Sequence, residues 1–149
     1  MLFRSPHRPR RPPRCCTYVN CLGNTEEAFE AYAAAFGTTI ETRIRFIDAG
    51  MADQLPVEDH HKMMHIVVPI LAGHVLMGTD MLESQGHTAS QGDNISINLE
   101  PDSREEADRI HAALSAGATE DSGLADMPWG AYWGSFEDRF GIRWMINQS

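Results

Sequence analysis

The sequence predicts an α+β fold built from two β-α-β-β-β modules. Three observations predict it. Segments of alternating polar and apolar residues are interrupted only twice by segments with apolar residues at helical spacing. Each helical segment opens on capping residues and acids and closes at a glycine. The order of elements then repeats from the first half of the chain to the second, with helices kept apart from runs of strands.

The first module spans about 15–80. CTYVNCL is rich in β-branched and aromatic residues and reads as a strand. In GNTEEAFEAYAAAFG, Asn24 or Thr25 caps a helix over Thr25–Phe36, and Glu26 and Glu27 lie where the helix dipole favours acids. Ala28, Phe29, Tyr32, Ala35 and Phe36 form its apolar face, and Gly37 ends it. TTIETRIRFID alternates through Ile40, Ile44 and Phe46 as a half-buried strand. AGMADQLPVEDHH is a loop. KMMHIVVPIL and GHVLMGTDM form a hairpin across Ala72 and Gly73.

MLESQGHTASQGD is a polar linker, and the second module spans about 92–149. NISINLE is its first strand. A helix follows over about Ser103–Ala116, with Asp102 or Ser103 as cap, Glu105 and Glu106 in the first turn, and Gly117 as terminator. TEDSGLADMPWG holds a short strand and a turn, and AYWGSFEDRFG and IRWMINQS are the last two strands.

Residues 1–14, MLFRSPHRPRRPPR, stand apart from this pattern. They hold five arginines, four prolines and no acid, and read as a disordered basic extension preceding a single domain over 15–149. The prolines spoil the amphipathic helix of an organelle targeting peptide, and no apolar run follows Arg10–Arg11 as in a twin-arginine signal. The rest of the chain carries 7 basic against 21 acidic residues. That balance argues against nucleic acid and anionic membrane as partners. No apolar run approaches the ~18 residues of a membrane span. Cys15, Cys16 and Cys21 lack the spacing of a disulfide framework or a CxxC pair, which points to reduced thiols and a cytoplasmic setting.

Four blocks carry a family resemblance. GNTEEAFEAYAAAFG, MMHIVVPILAGHVLMGTD, SINLEPDSREEADRIHAALSAGA and WGAYWGSFEDRFGIRWMIN, in that order and spacing from Thr17 to Asn147, resemble the PhnB-like branch of the vicinal-oxygen-chelate superfamily of glyoxalases, bleomycin-resistance proteins and dioxygenases. The resemblance implies curved mixed sheets that cup a pocket, and a homodimer. Relatives often bear a demethylubiquinone methyltransferase label. This sequence argues against it, since no Gly-rich GxGxG loop is present to hold such a cofactor.

The wider superfamily binds one divalent metal through a His or Gln and a Glu from the first and last strands of each half. Aligned on Gly37, those positions fall at Thr17, Met77, Asn94 and Met145, a poor donor set for Zn, Ni, Fe or Mn. The sequence therefore predicts no metal and no other cofactor. His60, His61 and His65 do not remedy this, because four residues of extended strand span roughly 13 Å. His65 is either a hydrogen-bonded strand histidine or a donor or acid–base group in the pocket. Period two adds Val19 and Cys21 to Thr17, Ser96 to Asn94, and Arg143 to Met145. Arg143 could face a carbonyl or acidic ligand or pair with one of the many acids. Trp129, beside Pro128 and Gly130 in a turn, either rims the pocket or packs in the core or a dimer interface.

Two function classes share this pocket. One is a metal-independent small-molecule-binding protein of the glyoxalase/bleomycin-resistance type. The other is an enzyme of lyase, isomerase or dioxygenase type acting on a small carbonyl or phosphonate-like substrate. The absence of an acid–base pair at a recognisable spacing favours binding.

Overall fold

Each sheet turns one face into a common apolar core, and the two helices cover that face. A computed structural model describes residues 11–149. The expectation for residues 1–10 lies outside the described residues, and residues 11–14 form neither helix nor strand. The first sheet comprises β1 (Thr17–Cys21), β2 (Thr42–Arg45), β3 (Met63–Pro69) and β4 (Val75–Asp80), in the order β1-β4-β3-β2. The second comprises β5 (Ile97–Leu99), β6 (Glu120–Asp121), β7 (Ala125–Asp126), β8 (Tyr132–Glu137) and β9 (Arg143–Gln148). Its order is β5-β9-β8-β6, with β7 also paired to β8. In each sheet the first strand runs parallel to the last, and the other pairs are antiparallel. The two halves thus share one mixed topology.

Helix α1 (Thr25–Phe36) has the bounds its apolar spacing predicts, and Gly37 closes it in the left-handed conformation at φ 65°. Its start differs from the sequence expectation. Asn24 makes no side-chain cap, and the Thr25 N–H and hydroxyl instead donate to the buried carboxylate of Asp80 at the end of β4. The same carboxylate accepts from the Met63 N–H, so one acid ties α1, β3 and β4 together. Helix α2 (Arg104–Leu114) begins as predicted, with Ser103 Oγ accepting the Glu106 N–H at 3.1 Å. It ends before Gly117. Ser103→Ala should cost about 1 kcal/mol, measured as a lower urea midpoint with an unchanged m-value.

Two further differences are local. The strand expected around Ile40–Phe46 covers only Thr42–Arg45, and its pairing with β3 slips between Ile44 and Arg45. Phe46 then joins Leu55 and Leu82 in a small separate cluster. The single strand expected in 119–130 is two short ones, β6 and β7, both laid along β8.

One apolar core takes the helix-covered faces of both sheets and both helices. Trp144 of β9 is fully buried and packs on Tyr32 and Phe36 of α1, so the first module's helix also covers the second module's sheet. Asp138, in the turn before β9, is 1% exposed and accepts four hydrogen bonds. The donors are the Tyr32 hydroxyl, Trp144 Nε1 and the N–H groups of Phe140 and Ile142. Arg109 of α2 donates to the Ala35 carbonyl of α1 at 2.8 Å. The modules are therefore joined by polar as well as apolar contacts.

Candidate functional site

Cross-strand pairing decides which side chains share a face. In the first sheet, Val19 pairs with Gly78 and Cys21 with Asp80, and all four are buried toward the helices. The opposite, helix-free face carries Tyr18 beside Met77, Met77 beside Val67, and His65 beside Ile44. In the second sheet, Ile97, Leu99, Phe136, Trp144 and Ile146 face the helices. Asn98, Ser135 and Met145 share the helix-free face, with Arg143 beside Glu137.

This pairing corrects two positions. Thr17 is on the helix-covered side of β1, so the residue beside Met77 on the helix-free face is Tyr18. Asn94 precedes β5, and the residue beside Met145 is Asn98. Tyr18, Met77, Asn98 and Met145 supply no imidazole, thiolate or carboxylate. Among the described residues no group of three or more His, Cys, Asp or Glu side chains converges. This donor set does not fit a divalent metal.

A groove of about 630 Å³ lies where the β1 edge meets β5, the 88–92 linker and the turn before β9. Thr17, Val19, Cys21 and Arg143 line it among the residues singled out from sequence, while His65, Met77, Asn94, Ser96, Trp129 and Met145 do not. Sequence reasoning missed Tyr18, Leu22, Ile95 and Phe140 in its wall. Tyr18, Leu22 and Ile95 are exposed by 45%, 43% and 78%, unusual for large apolar side chains. For Tyr18 the signal was legible: Val19 and Cys21 are the apolar members of β1, so its alternate members should lie on the other face.

The titratable groups have distinct fates. Burial pushes the Cys21 thiol up, and the Asp80 and Asp138 carboxylates add to this against a hydrogen bond with Thr25. Cys21 is therefore protonated near neutral pH and unsuited to nucleophilic attack. Arg143 Nη1 lies 3.2 Å from Glu120 and 3.3 Å from Glu137, so its charge is met by protein acids. His60 Nε2 is 2.8 Å from the Ala52 carbonyl oxygen and 3.0 Å from that of Leu55, which fixes the loop before β3. Trp129 is 68% exposed in a turn. His65 Nδ1 shares a 3.0 Å hydrogen bond with the Tyr18 hydroxyl, and the two rings stack with centroids 5.8 Å apart. Burial raises the Tyr18 phenol above its ordinary value.

Paired halves that each open on a strand and a helix and close on a strand parallel to the first, with a groove at the module seam, define the vicinal-oxygen-chelate class of fold. The chain belongs to the Glyoxalase/Bleomycin resistance protein/Dioxygenase superfamily, whose family model matches residues 18–146. Protein PA1353 from Pseudomonas aeruginosa is similar at 30% identity and a TM-score of 0.79, over 93% of this chain and 98% of that one. A PhnB protein from Bacillus cereus, bearing a 3-demethylubiquinone-9 3-methyltransferase label, shares the fold at 19% identity and a TM-score of 0.74. That match covers 92% of this chain and 100% of the other. A glyoxylase/bleomycin resistance protein/dioxygenase domain from Frankia sp. EAN1pec matches at 11% identity and a TM-score of 0.63, over 93% of each chain. No curated protein matches the chain significantly.

Proposed function

We propose that this protein binds a small, partly apolar organic molecule in the seam groove without a metal. The observation that carries this reading is the groove itself. Its volume falls within the roughly 300–1,000 Å³ of small-molecule sites, and three exposed large apolar side chains converge on it among amides and hydroxyls. Arg143 orients the ligand only if it leaves its glutamates, so shape and apolar contact set the affinity.

Ligand-observed NMR against a library of small organic molecules tests this. Hits should lose binding by tenfold or more in Ile95→Glu, while the Tm stays unchanged because Ile95 is 78% exposed. Hits that bind the variant as tightly as the parent chain would place the ligand elsewhere and overturn the reading.

We also propose a homodimer in a cytoplasmic setting. The helix-free faces leave Ile44, Met77, Trp133 and Met145 only half-buried, a surface that a second copy would cover. Cys15, Cys16 and Cys21 are all free thiols. Among the described residues no helix is long and apolar enough to cross a membrane. Light scattering should give twice 16.6 kDa at micromolar concentration, and a stable monomer would contradict the dimer.

A further inference from the structure

Between β4 and β5 the chain passes along the seam groove in a stretch with almost no hydrogen bonds of its own. Thr88, Ala89, Ser90, Gln91 and Gly92 wall the groove together with the β1 edge. Among the described residues, residues 88–95 make a single hydrogen bond, from Gln91 Nε2 to the Phe140 carbonyl at 3.3 Å. All of them except Ala89 are exposed. The two ends of the stretch are fixed. The His87 N–H donates to the Leu82 carbonyl at 3.1 Å, and His87 Nδ1 accepts the Leu82 N–H at 3.3 Å. Leu82 is itself buried against Phe46 and Leu55. On the other side β5 is held by its pairing with β9. The middle of the stretch therefore hangs on one side-chain amide.

That amide sits over a glycine. Gly141, in the turn before β9, has φ 86°, and a Cβ there would stand 2.1 Å from Gln91 Nε2 and 2.3 Å from Cδ. Any side chain at 141 would push the amide off its acceptor. Phe140 belongs to the apolar core, so the carbonyl that holds the stretch is anchored independently of it. Exposed backbone with few hydrogen bonds lies at the low-stability end of a structure. Gly86, left-handed at φ 78°, and Gly92 flank the stretch, where small residues absorb the backbone change of a hinge.

We propose that residues 88–92 are a strap that gates the seam groove, with Gln91 as its latch on the Phe140 carbonyl. Unlatched, the strap swings away from the β1 edge and a molecule enters or leaves. Latched, it closes along the occupant. This rests on the small-molecule reading of the groove, and it adds how that groove is opened. The latch is a neutral hydrogen bond, which shifts a two-state equilibrium by roughly two- to tenfold. It is made in the free and the occupied chain alike. Its loss therefore speeds entry and exit together and leaves the affinity nearly unchanged. A wall residue that only touches the ligand would change exit far more than entry.

Two measurements compare the parent chain with Gln91→Ala, a substitution at an exposed position that should leave the Tm unchanged. The first needs no ligand. Backbone NMR order parameters should fall at residues 88–92 in the variant and stay the same at His87 and along β5. The second is stopped-flow fluorescence with 8-anilinonaphthalene-1-sulfonate, an aromatic anion that brightens on apolar burial. Its association and dissociation rates should both rise about two- to tenfold in the variant, with the Kd changed by less than about twofold. Ile95→Glu should abolish the signal, which locates the probe in the groove.

Equal order parameters in the parent and Gln91→Ala overturn the strap and leave the groove reading standing. Unchanged rates, or a rise in the dissociation rate alone, do the same. If neither this probe nor any library molecule binds in a way that Ile95→Glu disturbs, the groove reading fails and the strap fails with it.

Discussion

Asp138→Ala should lower the stability of the chain by about 4 kcal/mol, a large part of the roughly 5–15 kcal/mol available to a domain. One oxygen of Asp138 accepts the Phe140 and Ile142 N–H groups, and the other accepts the Tyr32 hydroxyl and Trp144 Nε1. Hydrogen bonds to a charged acceptor each contribute about 1.5–3 kcal/mol, and orphaned buried donors add a desolvation cost of their own. The effects share one acceptor and are not additive, which places the total near that of breaking a buried ion pair, about 3–5 kcal/mol. Asp138→Asn separates the contributions. Its amide nitrogen would meet donors on one side, so about half the loss should remain. Urea unfolding followed by Trp fluorescence measures both variants. A loss under about 1 kcal/mol for Asp138→Ala would show that water replaces the carboxylate and that Asp138 does not join the modules.

Phe29→Ala should cost about 3–5 kcal/mol, because Phe29 is fully buried between α1 and the first sheet. The reason the ring fits is Gly78. A Cβ there would stand 2.7 Å from Phe29 Cζ and 2.8 Å from Cε2, closer than such atoms pack. Gly78→Ala alone should therefore destabilise by about 1–3 kcal/mol through overpacking. In the Phe29→Ala background most of that penalty should vanish, since the ring that the new methyl meets is gone. A double-mutant cycle by urea unfolding should give a coupling above about 1 kcal/mol. Additive effects would mean that Thr25 Cγ2, 3.0 Å from the same Cβ, governs the site instead.

The seam groove and the Tyr18–His65 pair differ in how far the sequence reveals them. Thr17, Val19, Cys21 and Arg143 were reachable by strand periodicity from the family pattern, and they line the groove. Ile95 and Phe140 were not, because both belong to irregular segments whose position depends on how the modules meet. Tyr18 shows a subtler limit. A one-residue difference in alignment moves a strand residue to the other face of its sheet, and family spacing alone did not resolve it. Burial of Val19 and Cys21 against α1 did.

The sequence by itself determined the order of the main elements, though not the split into β6 and β7, and with it the bounds of α1, the start of α2 and the superfamily. Those features depend on local physics: apolar periodicity, first-turn acids and a terminating glycine act within a few residues of one another. Only the tertiary structure decided that Trp144 packs on the first module's helix and that Tyr32 and Asp138, 106 residues apart, share a hydrogen bond. It also replaced the expected helix cap with Asp80 and set Tyr18 against His65 across an intervening strand. These are contacts between elements remote in sequence, where a side chain's partner is fixed by which faces are buried together and not by its neighbours along the chain.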